Sequence, residues 1–126
     1  MVNIKKLFDK FVNRLKYMKS YTSLNIKDSA NSIKLGALIV DVREKDEYIL
    51  AHIENSILIP LSEISADRIR QINPQNKTII IHCAAGIRSK KAANILLSQN
   101  YNSEILEIDK GINEWIKSNQ PIVSEI

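Results

Sequence analysis

The chain has 126 residues, 44% of them hydrophobic and 25% charged, with only three glycines and three prolines. This is the composition of one soluble globular domain, and it excludes disordered and fibrous classes. One cysteine and two histidines exclude an internal disulfide and a structural zinc cluster, so no metal or cofactor is expected, and a reducing, cytoplasmic setting is.

The net charge of +4 is uneven: residues 1–20 carry six Lys/Arg and one acid, and the remainder twelve Lys/Arg against thirteen acids. Lysines, arginines or asparagines interrupt the basic stretch every few residues, so neither a signal peptide nor a membrane span is expected. Within it Ile4, Leu7, Phe8, Phe11, Leu15 and Met18 recur at helical spacing, with Lys5, Lys6, Lys10, Arg14, Lys16 and Lys19 between them. Residues 1–22 are therefore expected to form a basic amphipathic helix. Its apolar stripe is expected to pack on its own domain or a sister subunit rather than on anionic lipid, although peripheral membrane or protein contact is open to it.

Residues 23–126 then alternate helix and strand patterns. Ser20 to Asn25 reads as a linker and Ile26 to Leu35 as a helix, which Gly36 ends. Ala37-Leu38-Ile39-Val40 is an apolar buried-strand run that leads into Asp41-Val42-Arg43. Glu44 to Leu50 is helical, Ile57-Leu58-Ile59 a short strand closed by Pro60, and Ser62 to Ile72 a helix with Ser62 as its cap. Thr78 to His82 is a β-branched strand, Ser89 to Gln99 a helix, Glu104 to Ile108 a strand and Ile112 to Lys117 a helix. Strands alternating with helices predict an α/β fold with a central parallel sheet covered by helices on both faces.

Cys83 is the first residue after the apolar strand 78–82, where parallel sheets place their sites. Ala84, Ala85, Gly86 and Ile87 can curl their N–H groups around its sulfur, with Gly86 free to take positive φ, and Arg88 adds a fixed cation. The helix that follows directs its unpaired N–H groups and positive dipole end at the same point, and these features together predict a lowered thiol pKa and a nucleophilic sulfur. An ordinary buried thiol needs neither the glycine nor the arginine. Asp41 and Arg43 close the first strand on the same side and are expected to brace loops, with Arg43 to Glu47 as one candidate ion pair. His52 is expected to have a structural role, Lys90 and Lys91 to lie on a solvated helix face, and Lys110 to line the entrance. Trp115, without an interleaved basic surface, is expected to anchor the core or an interface, and no nucleic acid is expected as a partner.

Cys83-Ala84-Ala85-Gly86-Ile87-Arg88-Ser89 resembles the Cys-x-x-Gly-x-Arg-Ser active loop of single-domain rhodaneses. Asp41-Val42-Arg43-Glu44 with Glu47-Tyr48 and His52-Ile53 is similar to that family's first signature, and Gly111-Ile112-Asn113-Glu114-Trp115 to its C-terminal one. The resemblance spans roughly residues 37–121. It implies a rhodanese-like fold and a sulfurtransferase that moves sulfane sulfur from thiosulfate or a related small anionic donor to cyanide or a thiol, with Cys83 as the persulfide carrier. The chain departs from the family pattern at Ala51-His52-Ile53-Glu54-Asn55-Ser56, where Asn55 can still make a left-handed turn, and at Lys110-Gly111. His82-Cys83 also resembles the start of a cysteine phosphatase loop, but four residues separate Cys83 from Arg88 where those enzymes have five. The alternative is a non-enzymatic module that uses the same scaffold to bind a partner or sense sulfur.

Overall fold

In a computed structural model, which describes residues 3–18 and 20–126, the run of isoleucines Ile79–His82 forms β4, the central strand. A strand buried on both faces needs apolar side chains at every position rather than at alternate ones, and all four of its residues are buried. It is flanked by β2 (Leu38–Asp41) and β5 (Ile105–Ile108), with β3 (Ile57–Leu58) outside β2 and β1 (Thr22–Leu24) outside β5. All four pairings are parallel, Val40 lying opposite Ile81 and Ile79 opposite Ile105.

The helices in chain order are α1 (Ile4–Met18), α2 (Ile26–Lys34), α3 (Lys45–Leu50), α4 (Ala66–Ile72), α5 (Ile87–Ser98) and α6 (Gly111–Lys117). The period-2 alternation of the strands divides the core in two. Ile79, Ile81, Val40 and Ile105 face one cluster with Ile69, Ala92, Ala93, Leu96 and Tyr101. Ile80, Ile39, Leu106 and Ile108 face the other with Ile112 and Trp115, against which Ile26 and Ile33 pack. Helices therefore cover both faces, as the alternation predicted, and Trp115 is a core anchor, 3% exposed.

Three local expectations are corrected. The expected linker Ser20 to Asn25 contains β1, too short at three residues to show an alternating pattern and held by pairing with β5. Ser62 caps no helix: after Pro60 the chain makes a single 3₁₀ turn at Leu61–Glu63, and Ser65 caps α4 by accepting the N–H of Arg68. The N-terminal helix forms, but the domain leaves the described part of its stripe uncovered. Ile4 is 80% exposed and Phe8 62%, and Leu7, Phe11 and Val12 are exposed as well. Lys19 and the side chains of Arg14, Leu15, Lys16 and Met18 lie outside the described residues.

Because none of the described side chains of α1 belongs to either core cluster, removal of residues 1–20 is expected to move the thermal unfolding midpoint of the remaining domain by no more than about 2 °C. Scanning calorimetry of the two chains checks this.

Candidate active site

The loop between β4 and α5 is built by opposing demands on its two rows of backbone groups. Its carbonyls are taken by the start of α6: Ile112 N–H donates to the Cys83 carbonyl at 2.9 Å and Asn113 N–H to that of Ala84 at 3.1 Å. With the carbonyls held there, the amides face inward, and Cys83 Sγ accepts from Gly86 N–H at 3.1 Å and Ser89 N–H at 3.3 Å. Gly86 stands at φ +98°, and a Cβ there would collide with the carbonyl of Asp109. Gly111 is required on the other side, since a Cβ on it would strike the carbonyls of Cys83 and Ala84. A chain that curls this tightly around a sulfur is possible only with glycine at both positions.

Cys83 is 1% exposed. Burial pushes its thiol up, but hydrogen bonding with Ser89, through its side chain and its N–H, and with the amides of Gly86 and Ala85 outweighs it and leaves the thiol below its ordinary value. Amides cannot be deprotonated to follow the sulfur, so they favour the anion wherever negative charge lies in the nest.

Three charged networks fix the walls. Arg43 Nη2 and Nε donate to Asp41 at 2.8 and 3.1 Å, and the same guanidinium reaches the carbonyls of Ala51 and Glu47. The expected Arg43 to Glu47 ion pair is therefore not formed: Asp41, two residues away and fully buried, takes the guanidinium, and Glu47 contributes only its backbone. The Glu47 carboxylate instead holds Arg88 through a two-pronged pair at 2.7 and 3.0 Å. That hydrogen bond to Arg88 brings Glu47 down to about 2 and raises Arg88 above its usual value. Lys90, expected on a solvated face, turns back to bind Glu107 and Asp109, each at 2.9 Å, because both carboxylates lie within reach of the first turn of α5.

The sequence-predicted residues thus fall into two groups. Gly86 and Ala85 direct amides at the Cys83 sulfur, while Ala84 gives its carbonyl to α6, Arg88 pairs with Glu47, and the Ile87 side chain, 69% exposed, and Lys110 face solvent. Asp41 and Arg43 brace the loops from beneath, next to the buried His82, whose Nε2 lies 3.5 Å from Asp41 and which burial shifts downward despite that carboxylate. His52 is structural, its Nδ1 lying 2.8 Å from the Tyr48 carbonyl and its ring stacked on Tyr48. Two site residues had no role assigned from sequence. Ser89 was visible only as part of the loop motif. Glu107, fully buried, accepts the Ser89 hydroxyl at 2.6 Å, and its one signal was an acid inside the apolar run Ile105 to Ile108.

The fold and site thus define a parallel α/β protein whose central strand runs into an amide-lined cysteine loop. The profile of the rhodanese-like domain matches residues 24–118, and the chain belongs to that family. It is 32% identical over 100 residues to "Probable adenylyltransferase/sulfurtransferase MoeZ" of Mycobacterium tuberculosis, covering 79% of this chain and 25% of that protein. It therefore spans about a quarter of that relative's length. A protein of Allochromatium vinosum named sulfurtransferase is 31% identical over 87 residues, with 69% and 78% covered. Among solved structures, a rhodanese-related protein of Thermoplasma volcanium is 36% identical with a TM-score of 0.69, covering 82% of this chain and 98% of that one. The thiosulfate sulfurtransferase of Pseudomonas aeruginosa shares the fold, with a TM-score of 0.76 at 23% identity over 84% of this chain and 21% of that one.

Two outcomes follow from this geometry. Gly86→Ala must displace the loop and with it one amide donor, so the pH midpoint for iodoacetamide alkylation of Cys83 is expected to rise. For Glu47, the folded value lies below the ordinary 4.5, so the unfolded chain binds the proton first. The stability this pair contributes is complete above about 4.5 and is lost as the pH falls toward about 2. Urea midpoints across that window are expected to fall less steeply in Glu47→Gln than in the wild type.

Proposed function

We propose that the protein is a sulfurtransferase in which Cys83 carries sulfane sulfur as a persulfide. The observation that carries this reading is the pair of amides, Gly86 and Ser89, that donate to Cys83 Sγ. With thiosulfate as donor, the Cys83 thiolate attacks the outer sulfur and a new sulfur–sulfur bond forms. The bond to the sulfonate sulfur breaks, and sulfite leaves with the electron pair. The persulfide's terminal sulfur retains the negative charge, which the inward amides stabilise. Cyanide, or an acceptor thiolate, then attacks that terminal sulfur and releases the Cys83 thiolate, giving thiocyanate or an acceptor persulfide.

Arg88 supplies positive charge at the rim while paired with Glu47, so it attracts a dianion without itself being free to swing. The relatives named for sulfur transfer support the same chemistry, and four residues between Cys83 and Arg88 enclose a nest suited to sulfur rather than to a phosphoryl group. A reducing, cytoplasmic setting suits a lone thiol that has to remain unblocked.

Incubation with thiosulfate is expected to add one sulfur to the wild-type protein, seen by intact mass, and to support thiocyanate formation from cyanide; both are lost in Cys83→Ser. Loading is expected to rise with pH as the thiolate forms and to level off at lower pH than for an unperturbed cysteine, because the folded thiol value is depressed. Failure of the wild type to take up sulfur from thiosulfate or any other sulfane donor would leave a non-enzymatic binding or sensing module as the better reading.

A further inference from the structure

Among the described residues, α1 presents a continuous row of apolar side chains that the domain leaves in water. At 100° per residue, Ile4, Leu7, Phe8, Phe11 and Val12 occupy an arc of about 140°, all of them exposed and none in a core cluster. Lys6, Asp9, Lys10 and Asn13 occupy the opposite side, and Lys5 borders the stripe. Two aromatic and three aliphatic side chains in one uncovered band are an interaction surface, since exposure of that kind is costly in water.

Charge selects the occupant. Six of the chain's eighteen Lys/Arg fall in residues 1–20 with one acid, while the rest of the chain is close to neutral. A cationic helix with an apolar band on one side matches an anionic lipid bilayer, where the band enters the headgroup boundary and the lysines reach phosphate. A second copy fits less well. Fifteen residues make about two heptads, short of the three or four that a coiled coil needs, and two stripes packed together would leave the cationic sides without counter-charge. No helix among the described residues is long and apolar enough to cross a membrane, so the helix would lie flat.

We propose that α1 docks the protein on the surface of anionic bilayers. α1 joins the sheet through β1, whose first residue, Thr22, lies at the amino end of the parallel strands, whereas Cys83 follows the carboxyl end of β4. The chain thus enters the sheet from α1 at the end opposite to the one that carries the Cys83 loop.

Co-sedimentation of the full chain with vesicles of phosphatidylcholine, with and without phosphatidylglycerol, tests the proposal, with gel filtration of the lipid-free protein beside it. Binding is expected only with phosphatidylglycerol, to fall with added salt, and to weaken by about tenfold or more in Phe8→Ser/Phe11→Ser as the apolar contact is lost. Lys5→Gln/Lys6→Gln/Lys10→Gln is expected to weaken it while leaving the apolar stripe intact. Circular dichroism of each variant verifies the fold. No sedimentation with phosphatidylglycerol, binding that ignores both sets of substitutions, or a dimer that α1 alone holds together would each overturn it. None of these readouts involves Cys83, so they stand apart from the sulfur transfer assay.

Discussion

The hydrogen bonds from backbone amides to a buried sulfur are what the rest of the structure serves. An amide can point at Cys83 Sγ only if its peptide's neighbours are also oriented, and the carbonyls that this orientation drives outward need partners of their own. The first amides of α6 supply them, which explains why a helix far along the chain begins at Gly111, in contact with the carbonyls of Cys83 and Ala84. Both glycines are consequences of that packing. β4 contributes by being buried at every position, so that the loop springs from a strand packed on both faces.

Around this centre the charged side chains act as struts between elements. Asp41 and Arg43 tie the end of β2 to the carbonyls that close α3, Glu47 ties α3 to Arg88 on α5, and Lys90 ties α5 to the end of β5. Exposed pairs of this type contribute little to stability; Asp41, Arg43 and Glu107 are buried, so breaking their pairs strands a charge, whereas Glu47, Arg88 and Lys90 keep about a third of their side-chain surface in water. Their effect is to hold three loops in one arrangement around the nest, so that the amides are oriented before a donor arrives.

The sheet, the helix order and the Cys83 loop were legible because each has a local signal: continuous apolar runs for β2 and β4, turn residues between elements, and a glycine and arginine spaced from a cysteine. β1 was not, since a three-residue edge strand is specified by its partner β5 rather than by its own pattern. Ion-pair partners were equally hidden. Arg43 and Glu47 have the spacing of a helical pair, but Arg43 precedes α3 instead of lying on it, so the spacing carried no information about contact. Lys90 was assigned to solvent because first-turn lysines usually are; two carboxylates brought by β5 and the turn after it changed that. The stripe of α1 was correctly seen, but its coverage depends on tertiary packing that no periodicity reports.

Glu107 joins these threads. A carboxylate with no exposed surface in a strand otherwise made of isoleucine and leucine is costly unless fully partnered, and removing a partner from such a group costs about 3–5 kcal/mol. It has three donors: the Ser23 hydroxyl from β1 and the Ser89 hydroxyl, each at 2.6 Å, and the Lys90 ammonium at 2.9 Å. One buried anion therefore fastens the edge strand, the first turn of α5 and, through Ser89, the sulfur. The Ser89 hydroxyl has a single proton, and while Glu107 holds it the oxygen can only accept from the thiol, 3.6 Å away. Stabilisation of the sulfur anion then falls to the amides, which cannot be diverted, and this is the physical reason the nest is built from backbone rather than from side chains.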